Sequence, residues 1–90
     1  MNDTIKMKEE KIKSLLTDNI KVQRAFNKML TFYEVFDKLY LTTHTKLLKA
    51  IYLDDKNYSF WELSNIANIC YSTCFEYRNN YVKCFYLCLD

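Results

Sequence analysis

A chain of 90 residues with no glycine and no proline has few ways to reverse direction. Turns that need a positive backbone angle normally take glycine, which has no Cβ to clash; here they fall to asparagine or aspartate. Sharp hairpins are therefore disfavoured, and helices joined by polar breaks are favoured. Half of the residues are apolar, enough for one core in one small domain. The expected fold class is all-α.

Apolar spacing supports that expectation. From Ile12 a three-four repeat runs through Leu15, Asn19, Val22, Phe26, Met29, Tyr33, Phe36 and Tyr40. This is a heptad seam of about four heptads. Leu30, Phe32, Val35, Leu39 and Leu41 widen it in the second half, and a wide stripe suits a globular core. The pattern predicts one long helix, or two joined near 17–19. Its first part, after a frayed polar start at 1–10, is an exposed arm, and its second part is core. Ile12, Leu15, Asn19, Val22 and Phe26 form the expected dimerisation seam. Asn19 either fixes the register of a parallel pair, as a polar seam residue does, or marks a solvated break.

Thr42, Thr43 and Thr45 interrupt the pattern, because β-branched hydroxyl residues prefer caps and turns. A helix restarts near Thr45, carries Leu47, Leu48, Ile51 and Tyr52, and stops at Asp54-Asp55-Lys56-Asn57, where two acids oppose the helix dipole. Ser59-Phe60-Trp61-Glu62 is a capping box, with Tyr58 and Leu63 placed for a hydrophobic staple. Leu63, Ile66 and Ala67 face inward. Asn68 fits a left-handed C-cap, and Ile69 plugs the turn. A last helix runs from about Ser72 to Leu89. At 100° per residue, Cys74, Tyr77, Arg78, Tyr81 and Phe85 share one face, and Ser72, Glu76, Asn79, Asn80 and Lys83 the other. Asparagine can pair bidentately with adenine, and serine or threonine reaches base edges or phosphates. The unit over 59–83 therefore reads as a helix-turn-helix able to set a helix into a DNA groove. The chain divides into 1–42, an arm and packing helix, and 43–90, the helix-turn-helix domain.

These residues resemble a known pattern. Leu47-Leu48-Lys49-Ala50-Ile51-Tyr52-Leu53, Ser59-Phe60-Trp61-Glu62-Leu63 and Ile69-Cys70-Tyr71-Ser72-Thr73-Cys74-Phe75-Glu76-Tyr77-Arg78 look like the sigma-factor region 4 helix-turn-helix. The nearest flavour is that of the small ArpU-type phage transcriptional regulators. The resemblance covers residues 46–85. It implies that Tyr71, Ser72, Thr73, Glu76, Asn79 and Asn80 enter the major groove, joined on that face by Lys83. It also implies a phage- or mobile-element-type regulator. Asn68 stands where the family has glycine, Cys70 where it has a capping serine, which moves the expected cap to Ser72, and Tyr81 where it has alanine. Several arginines or lysines of the family's last helix are missing.

Charge tempers the DNA reading. The formal net charge is +2, and from Thr43 onward five basic residues meet five acidic ones. Phosphate neutralisation supplies most non-specific affinity, so this domain is expected to bind DNA weakly as a monomer and to act as a homodimer or on a carrier such as RNA polymerase or a host factor. The alternative is a protein-interaction module, an inhibitor or adaptor on a degenerate helix-turn-helix. A continuous positive strip from Lys21, Arg24 and Lys28 to Arg78 and Lys83 favours DNA; a neutral face beside an exposed apolar patch favours a protein.

Enzyme chemistry finds no support. His44 is the only histidine and lies in the threonine-rich break, where a lone surface side chain is expected. Without glycine there is no phosphate-cradling loop. Cys70, Cys74, Cys84 and Cys88 fall on one stripe, and the two i, i+4 pairs lie roughly 21 Å apart along the helix, too far for one metal. Packing is expected of them, and no metal or cofactor. Trp61 is expected to be mainly structural. The charged start lacks an apolar leader segment, and no run has the length of a membrane span, so the expected location is cytoplasmic, with no membrane partner.

Overall fold

Asn19 decides the first break. Its Oδ1 accepts a hydrogen bond from the Val22 amide at 3.1 Å, which makes it a helix N-cap. The computed structural model, which describes residues 2–89, accordingly has two helices where one long one was possible: α1 (Asn2–Leu15) and α2 (Ile20–Tyr40). Gln23 Nε2 reaches back to the Leu16 carbonyl at 2.8 Å and ties the bend. Helices α3 (His44–Tyr52), α4 (Phe60–Ala67) and α5 (Tyr71–Leu89) follow, and the described residues form no strand. The all-α expectation holds.

The breaks are chemically distinct. Leu41 ends α2 in the left-handed region, with φ 55° and ψ 43°. α3 then begins without a side-chain cap from its own N-cap residue, Thr43. Asp37 of α2 supplies one instead: its Oδ1 accepts from the His44 amide at 2.9 Å and from Thr42 Oγ1 at 2.6 Å, and its Oδ2 from the Thr45 amide at 2.8 Å. A carboxylate at a helix N-terminus meets both the free amides and the positive end of the dipole. α3 stops at Tyr52 before the Asp54–Asn57 segment, as expected. Asp54 organises that loop, accepting from the Lys56 amide and from the Tyr58 hydroxyl.

Two expectations about the N-terminal half are overturned. First, α1 is not a frayed arm. Ile5, Glu9 and Ile12, spaced four and three apart, are buried, and α1 lies against α2, α3 and α5. Of the expected seam, Ile12, Val22 and Phe26 sit in the chain's own core, Asn19 is a cap and Leu15 alone is exposed. Packed in this way, these residues have no common free face for a second chain. Second, the stripe of α2 does not widen into core. Val22, Ala25, Phe26, Met29 and Tyr33 are buried, but Phe32, Val35, Leu39 and Leu41 lie exposed. Only one side of α2 meets other helices.

The core spans the expected boundary at 42. Met29, Leu47, Leu48, Cys74 and Tyr81 are fully enclosed, with Phe26, Ile51, Tyr52, Leu63, Ala67 and Phe85 around them. Each large apolar side chain buried this way contributes about 1.5–3 kcal/mol. α2 packs most extensively on α5, and α3 and α4 close the other side. One core holds both segments.

Candidate functional site

α4 and α5 are joined by three residues, Asn68, Ile69 and Cys70. Such a short turn between helices is characteristic of helix-turn-helix units. Both sides of α4 are closed as the sequence predicts. Ser59 Oγ accepts from the Glu62 amide at 3.1 Å, while Glu62 Oε1 accepts from the Ser59 amide at 2.9 Å. Asn68 takes φ 56° and ψ 48°, and its amide donates to the Asn65 and Ser64 carbonyls. Ile69 follows with its amide on the Ser64 carbonyl at 3.0 Å and its side chain against the core.

α5 starts one residue earlier than expected, at Tyr71. Cys70 keeps the cap position: its carbonyl accepts from the Cys74 amide, and its Sγ lies 2.9 Å from Thr73 Oγ1 and 3.5 Å from Ser72 Oγ. The cap does not move to Ser72. Hydrogen bonds from Thr73 first, then Ser72, push the exposed Cys70 thiol down to about 7.

The two faces of α5 fall as the helical wheel has them. Cys74, Arg78, Tyr81, Val82 and Phe85 are buried. Tyr71, Ser72, Glu76, Asn80 and Lys83 are exposed, and Thr73 and Asn79 are half-buried. Asn79 Nδ2 donates to the Phe75 carbonyl at 3.3 Å, so part of its amide is used within its own helix. Asn80 lies at the rim, where it helps to line a groove of about 530 Å³ with Phe32, Phe36, Tyr40 and Tyr77. Of the seven residues expected to read DNA, Ser72, Thr73, Glu76, Asn79, Asn80 and Lys83 lie on the side of α5 opposite the core, whereas Tyr71 stands over the buried stripe at the helix start; five of the seven are open to solvent.

Arg78 does not join a positive strip. It is buried, with Nε on Glu9 Oε2 at 2.9 Å and Nη2 on Glu9 Oε1, and its guanidinium lies 3.8 Å from the centre of the Phe60 ring. Nη1 is buried and has no hydrogen-bond partner among the described residues. On α5 this leaves Lys83 against Glu76, a neutral pair on the open face. Arg78 shares the apolar stripe on the helical wheel yet was expected in the positive strip; Glu9, 69 positions away in the chain, carried no local signal of its burial.

His44 is likewise inside, contrary to the surface expectation. It is buried among Tyr33, Phe36, Tyr77 and Tyr81, and its Nδ1 lies 2.6 Å from the Tyr81 hydroxyl. Tyr81, which stands where the resembled family has alanine, thus fills the space between α2, α3 and α5. Burial holds the His44 pKa below its ordinary value, against the pull of Asp37.

Trp61 is exposed rather than structural. The cysteines split: Cys74 is buried, Cys84 and Cys88 are half-buried, and Cys70 is exposed. Burial, then the neighbouring Cys88, pushes Cys84 up to about 11. Among the described residues no group of three or more His, Cys, Asp or Glu is arranged to hold a metal ion, and no helix is long and apolar enough to cross a membrane. Among the described residues these features define an all-α domain of five helices in which the outer side of α5 is open and polar. Comparison with protein-family models, curated proteins and solved structures gave no match.

Proposed function

We propose that the chain is a non-enzymatic helix-turn-helix regulator of phage or mobile-element type that presents α5 to DNA. One observation carries the reading: the capped α4–turn–α5 unit leaves the hydroxyl- and amide-bearing side of α5 uncovered by the rest of the domain. Ser72, Thr73, Asn79 and Asn80 offer hydrogen bonds suited to base edges and phosphates, and Tyr71 flanks them at the start of the helix. Lys83 is the exposed cation of α5 among the described residues, with Lys46 and Lys49 exposed on α3. So few phosphate contacts give weak binding by one copy.

A mobility-shift titration at two salt concentrations tests this. Binding at low salt is expected to weaken as salt rises, with log K falling by roughly 0.9 per log unit of salt for each phosphate neutralised. Asn80→Ala is expected to change sequence preference more than overall affinity. No complex at low salt would transfer the reading to the second one, a protein-interaction module such as an inhibitor or adaptor. A specific observation favours that reading too: Asn80 of the neutral open face of α5 lines a groove with exposed Phe32 and Tyr40.

A further inference from the structure

The outer side of α2 changes character halfway along. At 100° per residue, Lys21, Arg24, Lys28, Phe32, Val35 and Leu39 follow one another along a single stripe facing away from the core. Its first half is basic and its second half apolar. Phe32 is 55% exposed, Val35 54%, Leu39 70%, and beyond the stripe Tyr40 is 65% and Leu41 89% exposed. Leu41 is also held in the left-handed region, which costs a non-glycine residue about 1–2 kcal/mol. Its backbone caps α2, the amide donating to the Asp37 carbonyl, while its side chain is turned to solvent. Phe32, Val35 and Leu39 make the apolar half of the stripe, with Leu41 exposed just past its end, whereas Tyr40 lies on another side of α2 and lines the groove with Tyr77 and Asn80.

We infer that this half of α2 is the contact surface for a second copy of the chain, with the two α2 helices crossing antiparallel near Val35. Charge selects both occupant and direction. A parallel pair would set Lys21, Arg24 and Lys28 against the same three cations. An antiparallel pair centred on Val35 carries the basic halves to opposite ends and overlaps only the apolar halves. On one flank of the stripe, Glu34 and Lys38 stand four residues apart, and no ion pair engages either among the described residues. A two-fold axis near Val35 sets Glu34 beside Lys38 of the partner subunit and the partner's Glu34 beside Lys38. Such a pattern is complementary to itself, as an isologous contact must be. A contact built on three apolar side chains from each copy is small for a specific complex, so the association is expected to be weak and concentration-dependent.

The inference goes beyond DNA binding and does not depend on it. It supplies the second copy that a weakly charged reading helix needs, through a surface other than the N-terminal seam.

Sedimentation equilibrium of the full chain, without DNA, between about 1 and 300 µM tests it. A monomer–dimer equilibrium is expected in that range. Val35→Glu, at an exposed position, is expected to weaken the dimer at least about 30-fold with unchanged helical circular dichroism; Leu39→Lys is the second variant should the first fail to fold. Glu34→Lys is expected to weaken association about fivefold, and the doubly exchanged Glu34→Lys, Lys38→Glu chain to recover it to within about twofold. A chain monomeric at the highest concentration, or a dimer indifferent to both folded apolar-site variants, overturns the surface. Failure of the exchange to restore association overturns the antiparallel register. A dimer that binds no DNA leaves this inference standing and removes the functional one.

Discussion

Arg78 shows how a single side chain can belong to the core and to electrostatics at once. Only 2% of its surface is exposed. The desolvation of its charge is offset by the two bonds to Glu9 and by the Phe60 ring face. Removing one partner strands the other charge. Glu9→Ala is therefore expected to cost about 3–5 kcal/mol, read as a drop in urea midpoint, whereas replacing the pair together by Glu9→Leu and Arg78→Met recovers most of it. A single variant as stable as the parent would mean that the pair is not buried in solution. His44 makes the second prediction at this scale. Its folded-state pKa is lowered from 6.5 by burial. Above 6.5 the ring is neutral folded or unfolded, and its packing on Tyr81 is fully present. As pH falls below 6.5 the unfolded chain takes up the proton first, so stability declines until the folded-state value is passed. The melting temperature is expected to fall between pH 7 and 5.5, and His44→Gln to flatten that fall from a lower starting point. The difference between the two chains isolates His44 from Cys70, which titrates near 7. Equal slopes in both would assign the effect to another group.

Helix ends account for what was readable at the next scale. The Ser59–Glu62 box and the Asn68 cap act within four residues of their own amides, and local chemistry of that range is visible in a sequence. The stop at Asp54–Asn57 and the buried face of α5 were legible for the same reason. The cap of α3 was not, because its acceptor, Asp37, belongs to the preceding helix. Periodicity also gave α2 more core than it has. Phe32, Val35 and Leu39 have core chemistry and the right spacing, and nothing local says that no helix comes to cover them. The same blindness hid His44, whose burial depends on Tyr81 from 37 residues away. These differences set expectations for the caps. Ser59→Ala is expected to cost about 1 kcal/mol. Asp37→Ala, which frees two amides of α3 and the Thr42 hydroxyl, is expected to cost about 1–2 kcal/mol. Burial alone would raise the Asp37 pKa, but the bonds from Thr42, Thr45 and His44 outweigh it and hold it below 3.8. Its cap is thus complete above that pH and is lost as pH falls through the folded value. Chemical denaturation of the two variants at neutral pH checks the order: a smaller loss for Asp37→Ala than for Ser59→Ala would mean that α3 does not need its borrowed cap.

The whole molecule binds its two ends together. α1 supplies Ile5, Glu9 and Ile12 to a core otherwise built from α2 to α5, and Lys13 Nζ donates to the Asp54 carbonyl at 3.2 Å. A chain of this length has little stability in reserve. An arm that served only to pair two copies could be removed without unfolding the rest. Here its removal would take Ile5 and Ile12 from the core, strip Lys6 from the Phe60 ring and leave Arg78 without its carboxylate. Deleting residues 1–16 is therefore expected to abolish cooperative thermal unfolding, or to lower the melting temperature by tens of degrees, while the full chain melts in one transition. Conserved melting in the truncated chain would return α1 to the status of an arm, and would separate the α4–turn–α5 unit from the segment that this packing makes part of it. The open face of α5 is held in place by α1 only from the hidden side of that helix, through Arg78 and Glu9. A charge on the open side, such as Glu76→Lys, should consequently strengthen DNA binding at low salt with little change in stability, since surface substitutions away from packed features stay within about 0.5 kcal/mol. Unaltered DNA affinity in that variant would point away from α5 as the element that meets the nucleic acid.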